Sequence, residues 1–382
     1  MSGVAPEDAG AAGVEPATQP EPALEREETA ERTSLVIQTS FLGDTVLTTP
    51  LIAELARRGP VDVVVTPASA PLLKNNPDVR ELIVYDKRGD ARGMTGLWRA
   101  SRSLVTRCPP GAGARDAECV DVAYLAQGSV RSAMLAMLAG IRERVGFSTS
   151  AGRLLYTRTI PYRDDLHHAE RLWRLAVGLG APLESAETIR PRLYPGDEES
   201  AAVEALLSEH GWDGEPLLAL APGSVWATKR WPYFPELAQR LASRWRIAVL
   251  GGPRDLDETR AIVEALGPAH RPVVATGKLS LLGSADLLRR SAALVTNDSA
   301  PLHLASAMGT PTVAVFGPTV PEFGFGPLAP RREVAGHPSL SCRPCDRHGP
   351  SRCPLSHWRC MRELAPESLE ALLERVVSTP TA

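Results

Sequence analysis

Short β-branched runs alternate with helix-period segments in two series along this chain, and that repeat constrains the fold more than any single motif. LVIQTS (35–40), VDVVVTP (61–67), ELIVYD (81–86) and CVDVAYLA (119–126) read as strands. Helical periods follow at TVLTTPLIAELARRG (45–59), SVRSAMLAMLAGI (129–141) and HHAERLWRLAVGLG (167–180). After a Pro-, Glu- and Ser-rich stretch the pattern resumes, with strands at 216–223, 246–252, 272–276, 293–298 and 311–317. Helices are expected near 234–243, 255–266, 284–292 and 300–308, and a last one at ESLEALLERVVS (367–378). Near-continuous apolar strands with crossover helices require a parallel sheet covered on both faces. The expectation is an α/β chain of two Rossmann-like, doubly wound halves facing each other across a cleft at their strand ends.

A length of 382 residues exceeds one ordinary core and agrees with two halves. The expected organisation is an acidic tail at 1–33, a first half at 34–190, a linker region at 191–215, a second half at 216–365, and a C-terminal helix and tail at 366–382. The formal charge is −3, but residues 1–33 hold eight acids against two arginines, which leaves +3 for the remainder. That remainder is too weakly basic for nucleic acid to be the main partner. The tail lacks aromatics, so disorder is expected there. Residues 1–33 show no secretory apolar core, and no apolar run of roughly 18 residues follows, so a cytoplasmic location without a membrane span is expected.

Three constellations carry chemistry. Thr39-Ser40-Phe41-Leu42-Gly43-Asp44 follows the first strand; Asp44 either caps the next helix or faces the cleft as a proton acceptor. In APGSVWATKRWP (221–232), Ser224, Thr228 and Lys229 can hold a diphosphate, although a basic loop with two packing tryptophans reads equally from the residues. Thr296 to His303 joins a strand to a helix; the amides at 299–301 would make an anion site, with Pro301 suited to an early helical position. The plain alternative is a cap at Asp298 or Ser299 with His303 packed in the core.

At these residues the chain resembles glycosyltransferase family 9, the heptosyltransferases of lipopolysaccharide inner-core assembly. TSFLGDTVLTTP resembles the family's N-terminal signature. APGSVWATKRWPYFPELA, LGGPRD, GKLSLLGSADLL and NDSAPLHLASAMGTPTVAVFGPT match its donor-domain motifs in order and spacing. The stretch SCRPC…RCPLSHWRCM resembles the second-heptose branch more than the first. The resemblance implies a GT-B fold and inverting transfer from a nucleotide sugar, ADP-heptose, to a lipid-linked saccharide. It implies Asp44 as catalytic base and Lys229 on the donor phosphates. It implies Asp255, beside Gly252, on the ribose, Leu279 at the adenine, and Asp298, Ser299, Ala300 and His303 in the donor loop with Gly43 and Pro301. Ala300 stands where many members have Gly. A monomer working peripherally at the inner membrane is expected, with Arg57, Arg58, Lys74 and Arg80 as membrane-facing cations.

Cys342-x2-Cys345 is a metal-like half-site, but Cys353-x6-Cys360 is not the usual second half. His348 and His357 could substitute as ligands. Reduced thiols in a Pro-rich loop are the reading preferred to a structural zinc, and neither cofactor nor catalytic metal is expected. The competing functions are a same-fold transferase with another sugar or acceptor, a sugar-nucleotide epimerase, and a non-catalytic nucleotide- or metal-binding protein. A dinucleotide oxidoreductase is disfavoured, because no G-x-G-x-x-G follows either first strand.

Overall fold

A computed structural model describes residues 32–105 and 119–378. The expected tail at 1–33 lies, up to residue 31, outside the described residues. In the first half, β1 (Ser34–Gln38), β2 (Val61–Val65), β3 (Glu81–Val84), β4 (Val122–Leu125), β5 (Glu143–Phe147) and β6 (Arg158–Ile160) form one sheet. Its helices are α1 (Leu42–Leu47), α2 (Thr49–Ala56), α3 (Ala70–Leu73), α4 (Gly93–Val105), α5 (Val130–Leu138) and α6 (His168–Val177). The second sheet holds β7 (Leu217–Ala221), β8 (Arg246–Val249), β9 (Val273–Val274), β10 (Ala293–Asn297), β11 (Thr312–Phe316) and β12 (Arg332–Gly336). With it go α7 (Asp197–Glu209), α8 (Phe234–Leu241), α9 (Leu256–Leu266), α10 (Leu281–Arg290), α11 (Ala300–Met308), α12 (Arg359–Arg362) and α13 (Pro366–Ser378).

The two sheets share one topology. Their strand orders are β3-β2-β1-β4-β5-β6 and β12-β11-β10-β7-β8-β9, with every pairing parallel. In each sheet the order reverses beside the first strand, between β1 and β4 and between β7 and β10, and ligands of such sheets bind at that crevice. The central strands β1, β2, β7, β10 and β11 are buried at every residue. Val36 faces a core shared with α2 and α6, whereas Leu35 and Ile37 face one shared with α4 and α5.

Three local expectations change. The single helix at 45–59 is two, because Pro50 sits in the first turn of α2 and Thr48 forms the joint. A proline costs least at that position, so a new helix starts there. The region at 191–215 is no mere linker: Val203, Leu206 and Leu207 of α7 pack with Leu217 and Ala219 of the second core. A Gly196 amide held by Glu199 (2.8 Å) starts that helix. The C-terminal α13 also belongs to the second half, with Leu369, Leu373 and Val376 in its core.

The halves interlock. Val46 and Leu72 join the second core, while Phe325 and Leu328 of the 317–328 segment pack on the first. Arg171, fully buried, donates to the Phe323 carbonyl (3.1 Å) as well as to Arg163 O and Asp164 O of its own half.

Candidate active site

Between the two switch points lies a cavity of about 210 Å³. Its first wall is the β1–α1 turn, and its second combines the loops after β7, β10 and β11. Gly43, Asp44, Ser224, Lys229, Asp298, Ser299, Ala300 and His303 all line it, which brings together eight of the residues expected from sequence.

On the first wall Asp44 both holds the amide of the N-cap residue Phe41 and faces the space. Its Oδ2 accepts from Ser40 Oγ and, at 3.3 Å, from the Phe41 amide, while the side chain keeps 18% exposure. It is the third residue of α1, not the cap itself. Ser40 is in turn held through its amide, which donates to Gln38 Oε1 (3.2 Å). Those donors fix the carboxylate rotamer and leave Oδ1 towards His168 Nε2, 3.8 Å away. Burial pushes the His168 pKa down to about 3, and that of its neighbour His167 likewise, so both rings are neutral at pH 7. The His168 contact is therefore not an ion pair.

On the second wall Lys229 Nζ donates to Asp298 Oδ2 at 2.6 Å, and Thr319 Oγ1 donates to the same oxygen at 2.7 Å. Both members of this pair are about nine-tenths buried. A pair so placed holds the lysine in one direction, and removing either partner would strand a charge. Asn297, fully buried, locks the geometry: its Nδ2 donates to Pro222 O (2.7 Å) and its Oδ1 accepts from Trp231 N (3.1 Å). The two strand ends that carry Lys229 and Asp298 are thus pinned together. Ser299 caps α11 with Pro301 in its first turn. Pro301 has no N–H, so the anion-binding amides expected at 299–301 reduce to Ser299 and Ala300.

His303 joins the walls. A Cβ placed on Gly43 would lie 2.6 Å from His303 Cδ2, so only glycine admits this approach of α1 to α11. Burial lowers the His303 pKa, opposed by the charges of Asp298 and Asp44. Its Nδ1 and that of His168 are buried without a hydrogen-bond partner among the described residues.

Other expected residues lie elsewhere. Thr228 is buried and donates to Pro350 O, holding the Cys-rich loop. Pro301 does not line the cavity. Asp255 Oδ2 accepts the Gly252 amide (2.8 Å) and rests on the backbones of Gly223 and Gly251. Gly277 N donates to Gly251 O (3.0 Å). Gly252, Asp255 and the 277–279 turn with Leu279 therefore form a shelf at the ends of β8 and β9, joined to the cavity through Gly223 and Ser224.

Among the lining residues, Phe323 and Phe325 after β11 and Arg347 from the Cys-rich loop carried no sequence signal; Thr319 closes the last donor-domain motif and His348 was weighed only as a metal ligand, and both line the cavity. Arg347 reaches the first half, donating to Tyr162 Oη (2.9 Å) and Asp164 (3.1 Å). His348 turns to the cavity, its ring 6.0 Å from Phe41, and not to the thiols. Cys342, Cys345, Cys353 and Cys360 are free thiols, with His357 Nε2 3.8 Å from Cys342 Sγ. Among the described residues no three His, Cys, Asp or Glu side chains are arranged to hold one metal ion.

Residues 116–355 match the family described as glycosyltransferase family 9 (heptosyltransferase). The chain is 29% identical over 374 residues to lipopolysaccharide heptosyltransferase 1 of Pseudomonas aeruginosa, covering 91% of this chain and 98% of that protein. It is 28% identical over 302 residues to lipopolysaccharide heptosyltransferase 2 of Salmonella typhimurium, covering 76% and 84%. The solved family 9 glycosyltransferase of Veillonella parvula superposes with a TM-score of 0.77 at 24% identity, covering 90% of this chain and 97% of that one. Heptosyltransferase II of E. coli does so with 0.70 at 23%, covering 90% and 98%. These structures share the GT-B fold, two Rossmann-like domains across a cleft. By its matched span and its paired sheets, the chain belongs to glycosyltransferase family 9, the heptosyltransferases.

Proposed function

We propose that the chain transfers a heptose from ADP-heptose to a hydroxyl of the lipopolysaccharide inner core, with inversion at the sugar carbon. The observation that carries this reading is the facing of Asp44 and the Lys229–Asp298 pair across one cavity. The Asp44 carboxylate takes the acceptor proton as the hydroxyl attacks. Lys229 and the Ser299 and Ala300 amides stabilise the charge growing on the departing diphosphate, and Asp298 and Thr319 hold the lysine in place. The nucleoside end lies on the shelf, ribose at Asp255 and Gly252 and adenine at Leu279, with Ser224 between shelf and cavity. The leaving group needs no divalent cation, since Lys229 supplies the charge.

The chain works as a monomer at the cytoplasmic face of the inner membrane, where its lipid-linked acceptor is found. No helix among the described residues is long and apolar enough to cross a membrane, which suits a peripheral enzyme. The alternative is another nucleotide sugar or acceptor on the same machinery; Ala300 in the donor loop, with its extra methyl, favours testing it. A donor screen decides: ADP-heptose against UDP- and GDP-sugars, on lipid-A-core extracts of defined core length. Transfer from ADP-heptose alone supports the proposal, and transfer only from another donor overturns it.

A further inference from the structure

Among the described residues of the first half, the α-helical side chains that stand furthest into solvent among the large apolar ones are on α4. Helix α4 buries Gly96, Leu97, Ser101 and Leu104 and turns Met94, Trp98 and Arg102 outward at i, i+4 and i+8. Met94 and Trp98 are 60% and 57% exposed, and the Arg102 guanidinium sits 5.3 Å from the Trp98 ring centroid. Arg99 is exposed on the next stripe, and Lys87, Arg88 and Arg92 precede the helix. From Lys87 to Arg102 there are five basic residues and one acid, Asp90.

The cations named as membrane-facing in the sequence analysis are occupied instead. Arg57 and Arg58 pair with Glu54, Lys74 with Glu198 and Glu199, and Arg80 with Asp62. Arg88, Arg92, Arg99 and Arg102 form no ion pair among the described residues. The patch also adjoins the site: Lys87 Nζ donates to Thr39 O (2.6 Å), in the turn that carries Asp44. The chain leaves β3 for α4 at the same carboxyl end of the parallel sheet at which it leaves β1 for α1.

We infer that this face of α4 docks on an anionic phospholipid bilayer. Trp98 and Met94 enter the headgroup boundary, and Arg88, Arg92, Arg99 and Arg102 meet the lipid phosphates. Charge complementarity favours a bilayer over a protein. Two large apolar side chains on one short helix fall well below the ~800 Å² per partner of a stable protein interface. Combined with cations that form no ion pair among the described residues, they suit reversible surface binding. The inference rests on the proposed lipid-linked acceptor, and it places that lipid next to the Asp44 wall.

The test is co-sedimentation of the full chain with phosphatidylcholine vesicles, with and without phosphatidylglycerol. Wild type is expected to bind only the anionic vesicles and to release them in salt. Arg99→Glu/Arg102→Glu should weaken that binding by at least about 10-fold, and Trp98→Ala should weaken it by several-fold. Both variants should keep the wild-type Tm and the wild-type rate on a delipidated acceptor, and Arg57→Glu should bind as wild type. Unchanged vesicle binding in the α4 variants, or no binding by wild type, overturns the inference. So does a change of oligomeric state in place of vesicle binding, which would make the face a protein contact. Turnover on the delipidated acceptor reads the proposed function separately, since its loss in wild type would strike that reading and leave the docking result intact.

Discussion

The two sheets have the same strand order, yet the loops leaving their central strands carry opposite chemistry. After β1, the turn to α1 offers a carboxylate, Asp44, whose Oδ2 is steadied by Ser40 and Phe41. After β7 and β10, the loops offer a cation, Lys229, steadied by Asp298, beside the amides that open α11. One wall suits a proton, the other an anion. The outer helices differ in the same way. Helix α10, which follows β9 as α4 follows β3, has Arg289 and Arg290 tied to Asp286, itself 1% exposed at its side chain. The arginines of α4 form no ion pair among the described residues. A repeated scaffold thus fixes where groups stand, and the turn residues alone decide what each wall does.

The largest effect should come from breaking the second wall. Asp298→Ala removes the partner of a buried lysine and should cost about 3–5 kcal/mol of stability, read by urea unfolding. Thr319→Val, which removes only one donor to Asp298, should cost far less. Equal losses in the two variants would mean that the ion pair does not organise this wall.

Acid should part the walls next. His167 and His168, the cap and first residue of α6, face the 317–328 segment, with His167 Nε2 against Gly326 O (3.0 Å) and the His168 ring 4.9 Å from Phe325. Each has a folded pKa near 3 against 6.5 unfolded. The unfolded chain therefore binds the extra protons, and stability must fall as pH drops from 6.5 towards 3. The sign follows from proton linkage, since the state that binds more protons gains as pH falls. Denaturant unfolding across that range checks it, and flat stability would show these histidines to be accessible.

At the seam itself, Gly43→Ala should cost about 1–3 kcal/mol by forcing a methyl against His303. A second change, His303→Ala, should recover part of that loss. No recovery would place the strain elsewhere. The smallest effect concerns chelation: turnover in EDTA should match turnover without it, because Lys229 holds the diphosphate. Activity lost in EDTA and restored by magnesium would transfer that role to a metal.

Legibility followed local chemistry. The central strands could be read because all-apolar β-branched runs have few other uses, Gly43, Asp44 and Asp298 because they sit just past strand ends, and Lys229 because its loop carries Ser, Thr and Lys and matches a family motif. What was missed lacks a local signature. Strand β12 reads REVAG, polar and half-exposed at the sheet edge, and α7 begins DEES within a stretch rich in turn formers. Phe323 and Arg347 enter the cavity only because their segments cross between the halves, and His168 approaches Asp44 only after α6 docks. Asp255 shows the converse: the family resemblance implied a ribose contact for it, while the fold also uses it to hold the Gly252 amide.

The division of labour between the walls is tested most directly by comparing Asp44→Asn with Lys229→Ala, measuring donor Kd by calorimetry and transfer rate in a single turnover. Asp44→Asn should bind the donor as wild type does and transfer about 10²-fold more slowly or worse, whereas Lys229→Ala should lose both binding and rate. Wild-type transfer in Asp44→Asn, or undiminished donor affinity in Lys229→Ala, would contradict the assignment of proton to one wall and diphosphate to the other.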